Sequence, residues 1–193
     1  VRATGIAYMH KGTRRIASAT GEVILAGGAI NSPQLLQLSG IGPAKLLGEH
    51  GIDVVADRPA VGANLQEHYN GRLVYRAKEP LTLNDVIGNP IRSVIQGLRY
   101  IIQRKGFLTM GSSQAAGFFR SDPALATPDI HLGISLFSAD KAGDALHPFS
   151  GFSIITRLLR PRSRGEIVIA SKDSMAPPTI RPNYLDDPKD IDD

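Results

Sequence analysis

The stretch VILAGGAINSPQLLQLSGIG, residues 23–42, decides how this chain is read. Val23, Ile24, Leu25 and Ala26 form an apolar run that reads as a buried strand. Gly27 and Gly28 follow at once, where the backbone must turn tightly or approach something closely. Asn31 or Ser32 suits a helix N-cap, Pro33 suits the first turn, and Gly40 suits the end, so a helix is expected over residues 32–38. A strand, a glycine turn and a helix N-terminus together make a place where phosphate or ribose oxygens can sit. Simple turn geometry is the plainer account of the same glycines.

Working outward, residues 4–9 and 15–19 alternate as two strands joined at Lys11, Gly12 and Thr13. A second short helix is expected between Pro43 and Gly51, then a strand over 52–56. Residues 58–66, RPAVGANLQ, read as a loop, with Pro59, Gly62 and Asn64 as turn formers. Strands are expected over 72–78, 113–120, 129–137, 151–159 and 166–171, sharing one sheet. A helix is expected from Pro90 to about Arg104. Its stripe of Ile91, Val94, Ile95, Leu98, Ile101 and Ile102 should lie buried against that sheet, with Arg92, Arg99 and Arg104 solvated. Residues 161–165, PRSRG, read as a hairpin connection with Gly165 at positive φ. Strands in succession with one helical excursion predict an α+β fold built on a mostly antiparallel sheet with packed helices.

Composition narrows the function classes. The 193 residues carry 22 Lys and Arg against 18 Asp and Glu, and the basic residues are scattered rather than gathered into a nucleic-acid footprint. There is no cysteine, so disulfides and thiolate metal sites are excluded and the redox compartment stays open. No apolar run approaches the roughly 18–20 residues of a membrane span. The opening VRATGIAY reads as a strand rather than a leader and has no starting Met. The closing DDPKDIDD stops where Pro188 opens a helix, so both ends read as cut. The acidic cluster Asp186, Asp187, Asp190, Asp192 and Asp193 fits a helix start better than a cation site. Glu67 and His68 beside Asn64 raise the idea of a charge relay, but adjacent residues of an extended segment point opposite ways, and loop shaping is the preferred reading. No Ser stands in a GxSxG context.

Residues 28–42 resemble the second signature of the glucose–methanol–choline (GMC) flavin oxidoreductases. Gly28, Ala29, Ser32, Pro33, Leu35, Leu36, Ser39, Gly40, Ile41 and Gly42 all fit that pattern. The stretch from Val61 to His68 resembles the family's GVGxNLQ(D/E)H segment, with Glu67 where Asp is commoner. Gly106 to Thr109 with Ala116 to Arg120, and Leu159 to Gly165 with Pro178 to Tyr184, resemble two further segments in the family's order. The bacterial choline dehydrogenase-like group is the branch the chain looks most like.

The resemblance implies that residues 1–70 are part of a split α/β FAD-binding domain and 71–193 an incomplete substrate-binding domain. It implies an FAD-dependent oxidation of a small-molecule alcohol to an aldehyde. FAD-contact candidates are Ala26, Gly27, Gly28, Asn64 and Leu65; the substrate pocket would include Asn70 and Gly133. Choline-oxidising members carry Glu at the first of these pocket positions and His at the second, so a neutral aliphatic or aromatic alcohol is expected in preference to choline. The family's GxGxxG fingerprint is not found here, and none of His10, His50, His68, His131 and His147 stands in its catalytic context. The chain therefore reads as an internal portion with no catalytic residue and no metal ligand assigned, inactive alone, without tight FAD binding and prone to self-association through exposed surfaces. The alternative is a self-standing, non-enzymatic binding or interaction module.

Overall fold

The computed structural model describes residues 2–193 apart from 81, 112 and 142. Helices and mostly antiparallel sheets alternate along it, and the chain divides into two compact units. One holds the residues up to Gln66 together with Ser163–Asp186; the other holds Glu67–Arg162 with Asp187–Asp193. The segment Ser163–Asp186, expected with the second part of the chain, thus packs with the first.

In the first unit, β1 (Gly5–His10) and β2 (Thr13–Ser18) form the expected hairpin, with His10 opposite Thr13. Lys11 at φ 49 and Gly12 at φ 76 make the two-residue turn whose positive φ values match strand twist. Residues 23–26, expected as a buried strand, are neither paired nor buried: Ile24 is 77% exposed and Leu25 37%. An apolar run becomes an interior strand only where ladders flank it. Among the described residues no strand pairs with it.

Helix α1 spans Gly28–Leu38, four residues more than expected at its start. Gly28 enters at φ 73, a conformation an L side chain rarely adopts, and neither Asn31 nor Ser32 is the cap. Pro33 stands inside the helix, where its missing N–H deletes one backbone bond. The helix closes as predicted, with Gly40 at φ 82 donating to the Gln37 carbonyl. Strand β3 (Ile41–Gly42) pairs in parallel with β4 (Ala56–Asp57), and α2 (Ala44–Glu49) lies between them. Gly40 O accepts from Val55 N and Ala56 N.

In the second unit, β5 (Asn70–Arg76), β6 (Ala115–Phe119), β7 (Ile130–Ser135) and β8 (Gly151–Leu158) form one antiparallel sheet in the order β5-β8-β7-β6. Four of the five expected strands are there. The fifth, β9 (Glu166–Val168), pairs instead with β10 (Thr179–Arg181) in the first unit. Residues 161–165 therefore join two sheets rather than two hairpin strands. Gly165 lies outside the left-handed region; a Cβ there would collide with the Arg181 carbonyl oxygen and sit 2.7 Å from Pro182 Cα.

Helix α3 (Leu83–Ile87) is opened by Thr82, whose amide and hydroxyl both donate to Asp85 Oδ2. Helix α4 (Pro90–Gln103) starts at Pro90 as expected and is capped by Asn89, whose Oδ1 accepts from the Ile91 and Arg92 amides; Arg104 closes the helix at φ 54. Its apolar stripe was expected to be buried, and it is not. Ile91, Val94, Ile95, Leu98, Ile101 and Ile102 are all more than half exposed. The helix packs on α3 and the turn Phe107–Thr109, and these short elements do not shield a 14-residue stripe. Helix α5 (Pro188–Asp192) is capped by the Asp187 carboxylate, as the acidic cluster suggested.

Candidate functional site

Gln37 sits in the middle of the apolar run of α1 and is fully buried. Its Nε2 donates to the Val61 carbonyl at 3.1 Å and the Ile167 carbonyl at 3.0 Å, while its Oε1 accepts from the Ile169 amide at 2.8 Å. One side chain thus ties α1 to the 58–66 loop and to β9. The loop is laced to the same strand by its backbone. Gly62 O accepts from Ile167 N, and Leu65 and Gly165 exchange both of their backbone bonds. Gly62 stands at φ 88, and a Cβ there would collide with the Ile167 carbonyl. The half of the signature running from Gln37 to Gly42, and Gly62 beyond it, therefore serve packing.

The other half is different. Ala26, Gly27 and Gly28 are exposed at the start of α1. A Cβ on Gly28 would meet nothing within 4 Å, whereas one on Gly27 would touch Asn31 Cβ at 3.0 Å. No side chain caps this helix and no acidic residue lies in its first turn. Its leading amides thus face open surface, an arrangement suited to the oxygens of a phosphate or ribose. Asn64, at φ 62, is exposed on the loop; Leu65 is half-buried, and its backbone is committed to Gly165.

In the second unit the two pocket candidates fall on one face of the sheet. Asn70 lies opposite Arg157, Arg157 opposite His131, and His131 opposite Phe118. Directly opposed residues share a face, so these four form a row across all four strands. Gly133 lies in the next row of that face, opposite Ala116 and Ile155. It is buried, and a Cβ there would come within 3.2 Å of Ser113 Oγ and 3.3 Å of His131 Cε1. An open cleft of about 470 Å³ borders this region, lined by Ser113, Gln114, Ala115, Ala116, His131 and Arg157. His131 Nδ1 and Arg157 Nε are buried there without a hydrogen-bond partner among the described residues. The sequence reading missed Arg157 and passed over His131. The signal available was a His between apolar residues of one strand and an Arg near the end of another apolar-rich strand.

Glu67 and His68 do not form a relay. Glu67 Oε1 accepts from the backbone amide of His68, and His68 Nε2 donates to the Leu159 carbonyl at 3.1 Å. Asn70 Nδ2 in turn donates to the His68 carbonyl, which fixes the entry to β5. Two carboxylates have lowered pKa values. The Ser121 hydroxyl and amide hold Asp129 down. Burial pushes Asp85 up, but bonds from Ser150 and Thr82 outweigh it. Among the described residues no cluster of three His, Asp or Glu is arranged to hold a metal ion, and no helix is long and apolar enough to cross a membrane.

Residues 1–70 match the family model described as GMC oxidoreductase. An alcohol dehydrogenase [acceptor] of Pseudomonas putida is 38% identical over 192 residues, covering 98% of this chain and 35% of the relative. An oxygen-dependent choline dehydrogenase of Rhizobium etli is 36% identical over 189 residues, covering 98% and 34%. A solved formate oxidase of Aspergillus oryzae superposes with a TM-score of 0.89 at 26% identity, over 99% of this chain and 38% of that one. The chain is similar to GMC oxidoreductases along nearly its whole length, and it spans about a third of the length of the curated relatives it matches.

Proposed function

We propose that these residues are part of an FAD-dependent enzyme that oxidises an alcohol to an aldehyde. The observation that carries the reading is the coincidence of the family match with the exposed, uncapped start of α1 at Gly27 and Gly28. The local features fit the cofactor: leading amides without a capping side chain, no nearby carboxylate, and open space at Gly28. Ala26, Gly27 and Gly28, with Asn64 and Leu65 from the loop, would hold part of its adenosine side. Bound FAD would supply the acceptor for the hydride of the carbinol carbon.

Within the chain, residues up to about 70 are assigned to the FAD-binding domain and most of the rest to the substrate domain. The sheet face bearing Asn70 and Gly133 is assigned to the substrate side. Asn70 offers a neutral amide, which does not offset a desolvated quaternary ammonium as a carboxylate does. A non-cationic alcohol is therefore preferred over choline. No glycine-rich dinucleotide fingerprint lies within these 193 residues. Tight FAD binding and turnover accordingly need more than these residues, and the chain alone holds the cofactor weakly and is inactive. The exposed apolar residues of α4 and of 23–26 favour self-association of the isolated chain.

The test has two arms. Residues 1–193 mixed with excess FAD and desalted should show no flavin absorbance, and a stoichiometric yellow protein overturns this division of the site. The full reading frame, purified, should be yellow and should reduce an artificial electron acceptor with an alcohol. A colourless full-length protein that is inert to alcohols favours a non-enzymatic binding module instead.

A further inference from the structure

We propose that the cleft at Arg157 and His131 receives a carboxylate carried by the substrate, so that the preferred alcohol is a hydroxy acid. This deepens the proposed alcohol oxidation and rests on it for the word substrate; the anion site itself stands on geometry. Arg157 is the next-to-last residue of β8 and lies between Asn70 on β5 and His131 on β7. Its Nε is buried, and among the described residues no group accepts from it. A guanidinium left in this way is costly, because burial removes water without supplying an acceptor. His131 adds a buried ring nitrogen, also without a partner among the described residues, in the same cleft.

The surroundings select the sign of the ligand. None of the four strands of this sheet carries an acidic residue, and Arg72 adds another cation in the row beside Arg157 on the same face. Ser113 supplies a hydroxyl at the cleft wall. A planar guanidinium fork takes a carboxylate through two parallel N–H···O bonds, which a neutral alcohol cannot offer. A cationic group would meet Arg157 and Arg72 with like charge. Gly133 bears on reach: a side chain there would press on His131 and Ser113, so the glycine keeps the approach to them open.

The test compares 6-hydroxyhexanoate, 1-hexanol and choline on the full-length, flavin-loaded enzyme with an artificial electron acceptor. 6-Hydroxyhexanoate should have the highest kcat/KM. Arg157→Gln should lower that value, chiefly through KM, and reduce the preference for 6-hydroxyhexanoate over 1-hexanol at least about tenfold. Arg157→Lys should restore part of the loss. A second readout needs no turnover and no variant: hexanoate should raise the thermal midpoint of the wild type, and hexanol at the same concentration should not. If no alcohol is oxidised but hexanoate still stabilises the protein, the enzymatic reading fails and the anion site stands. If alcohols are oxidised while 1-hexanol equals or exceeds 6-hydroxyhexanoate and hexanoate has no effect, the anion site is refuted and the enzymatic reading stands. An Arg157→Gln variant that slows both substrates equally also overturns it.

Discussion

Replacing Gln37 by leucine should destabilise the first unit far more than a near-isosteric change on a helix normally does. Three backbone groups lose a partner: the carbonyls of Val61 and Ile167 and the amide of Ile169. Leaving a buried polar group unsatisfied costs about 1–3 kcal/mol, so the upper bound for three is about 9 kcal/mol. Carbonyls keep a second lone pair, and neighbouring backbone can shift, which places the expected cost near the lower end, about 3–5 kcal/mol. At about 2–4 °C per kcal/mol this lowers the thermal midpoint by about 6–20 °C. Gln37→Glu should be worse, because it removes the donor and sets a carboxylate against two carbonyls. Thermal unfolding followed by far-UV circular dichroism reads the effect. A Gln37→Leu midpoint within about 2 °C of wild type would refute the view that this side chain joins the signature helix to the loop and to β9.

Other outcomes follow from the same geometry. Gly62→Ala, at φ 88 and against the Ile167 carbonyl, should cost clearly more than Gly12→Ala, which is at φ 76 in open space and should cost only the roughly 1–2 kcal/mol of a left-handed residue; urea unfolding of the two variants checks the order. Ile102→Asp on α4, at a position 75% exposed, should move the thermal midpoint by less than about 2 °C, because surface changes usually stay within about 0.5 kcal/mol. Asp129 is held below its usual pKa by Ser121, so its ionised form is the one the fold binds. Its contribution is present above the unfolded value of about 3.9 and is lost as pH falls through the lower folded value. The urea midpoint of wild type relative to Asp129→Asn should therefore be constant from neutral pH to about 5 and shrink below about 4; a gap that persists in acid contradicts that account.

What the sequence determined by itself is what short range decides. The hairpin at Lys11 and Gly12, the Asn89 cap with Pro90 at the start of α4, the Gly40 ending of α1 and four strands of the antiparallel sheet all follow from turn chemistry, capping and period-2 alternation. The family signature was legible as well, because it is a fixed spacing of residue types. Tertiary structure decided which surfaces those elements meet. The stripe on α4 has the period of a buried face, yet period says nothing about whether a partner lies over it. Residues 23–26 have the composition of an interior strand but lie beside no ladder among the described residues. Strand β9 alternates like its neighbours and pairs in another sheet. Gln37 and Arg157 are polar residues within apolar runs, a signal without a meaning until the chain brings carbonyls to the first and His131 and Asn70 alongside the second. Local preference is settled within a few residues along the chain; burial and partnership depend on groups more than a hundred residues apart, such as Gln37 and Ile167, and only the folded arrangement brings them together.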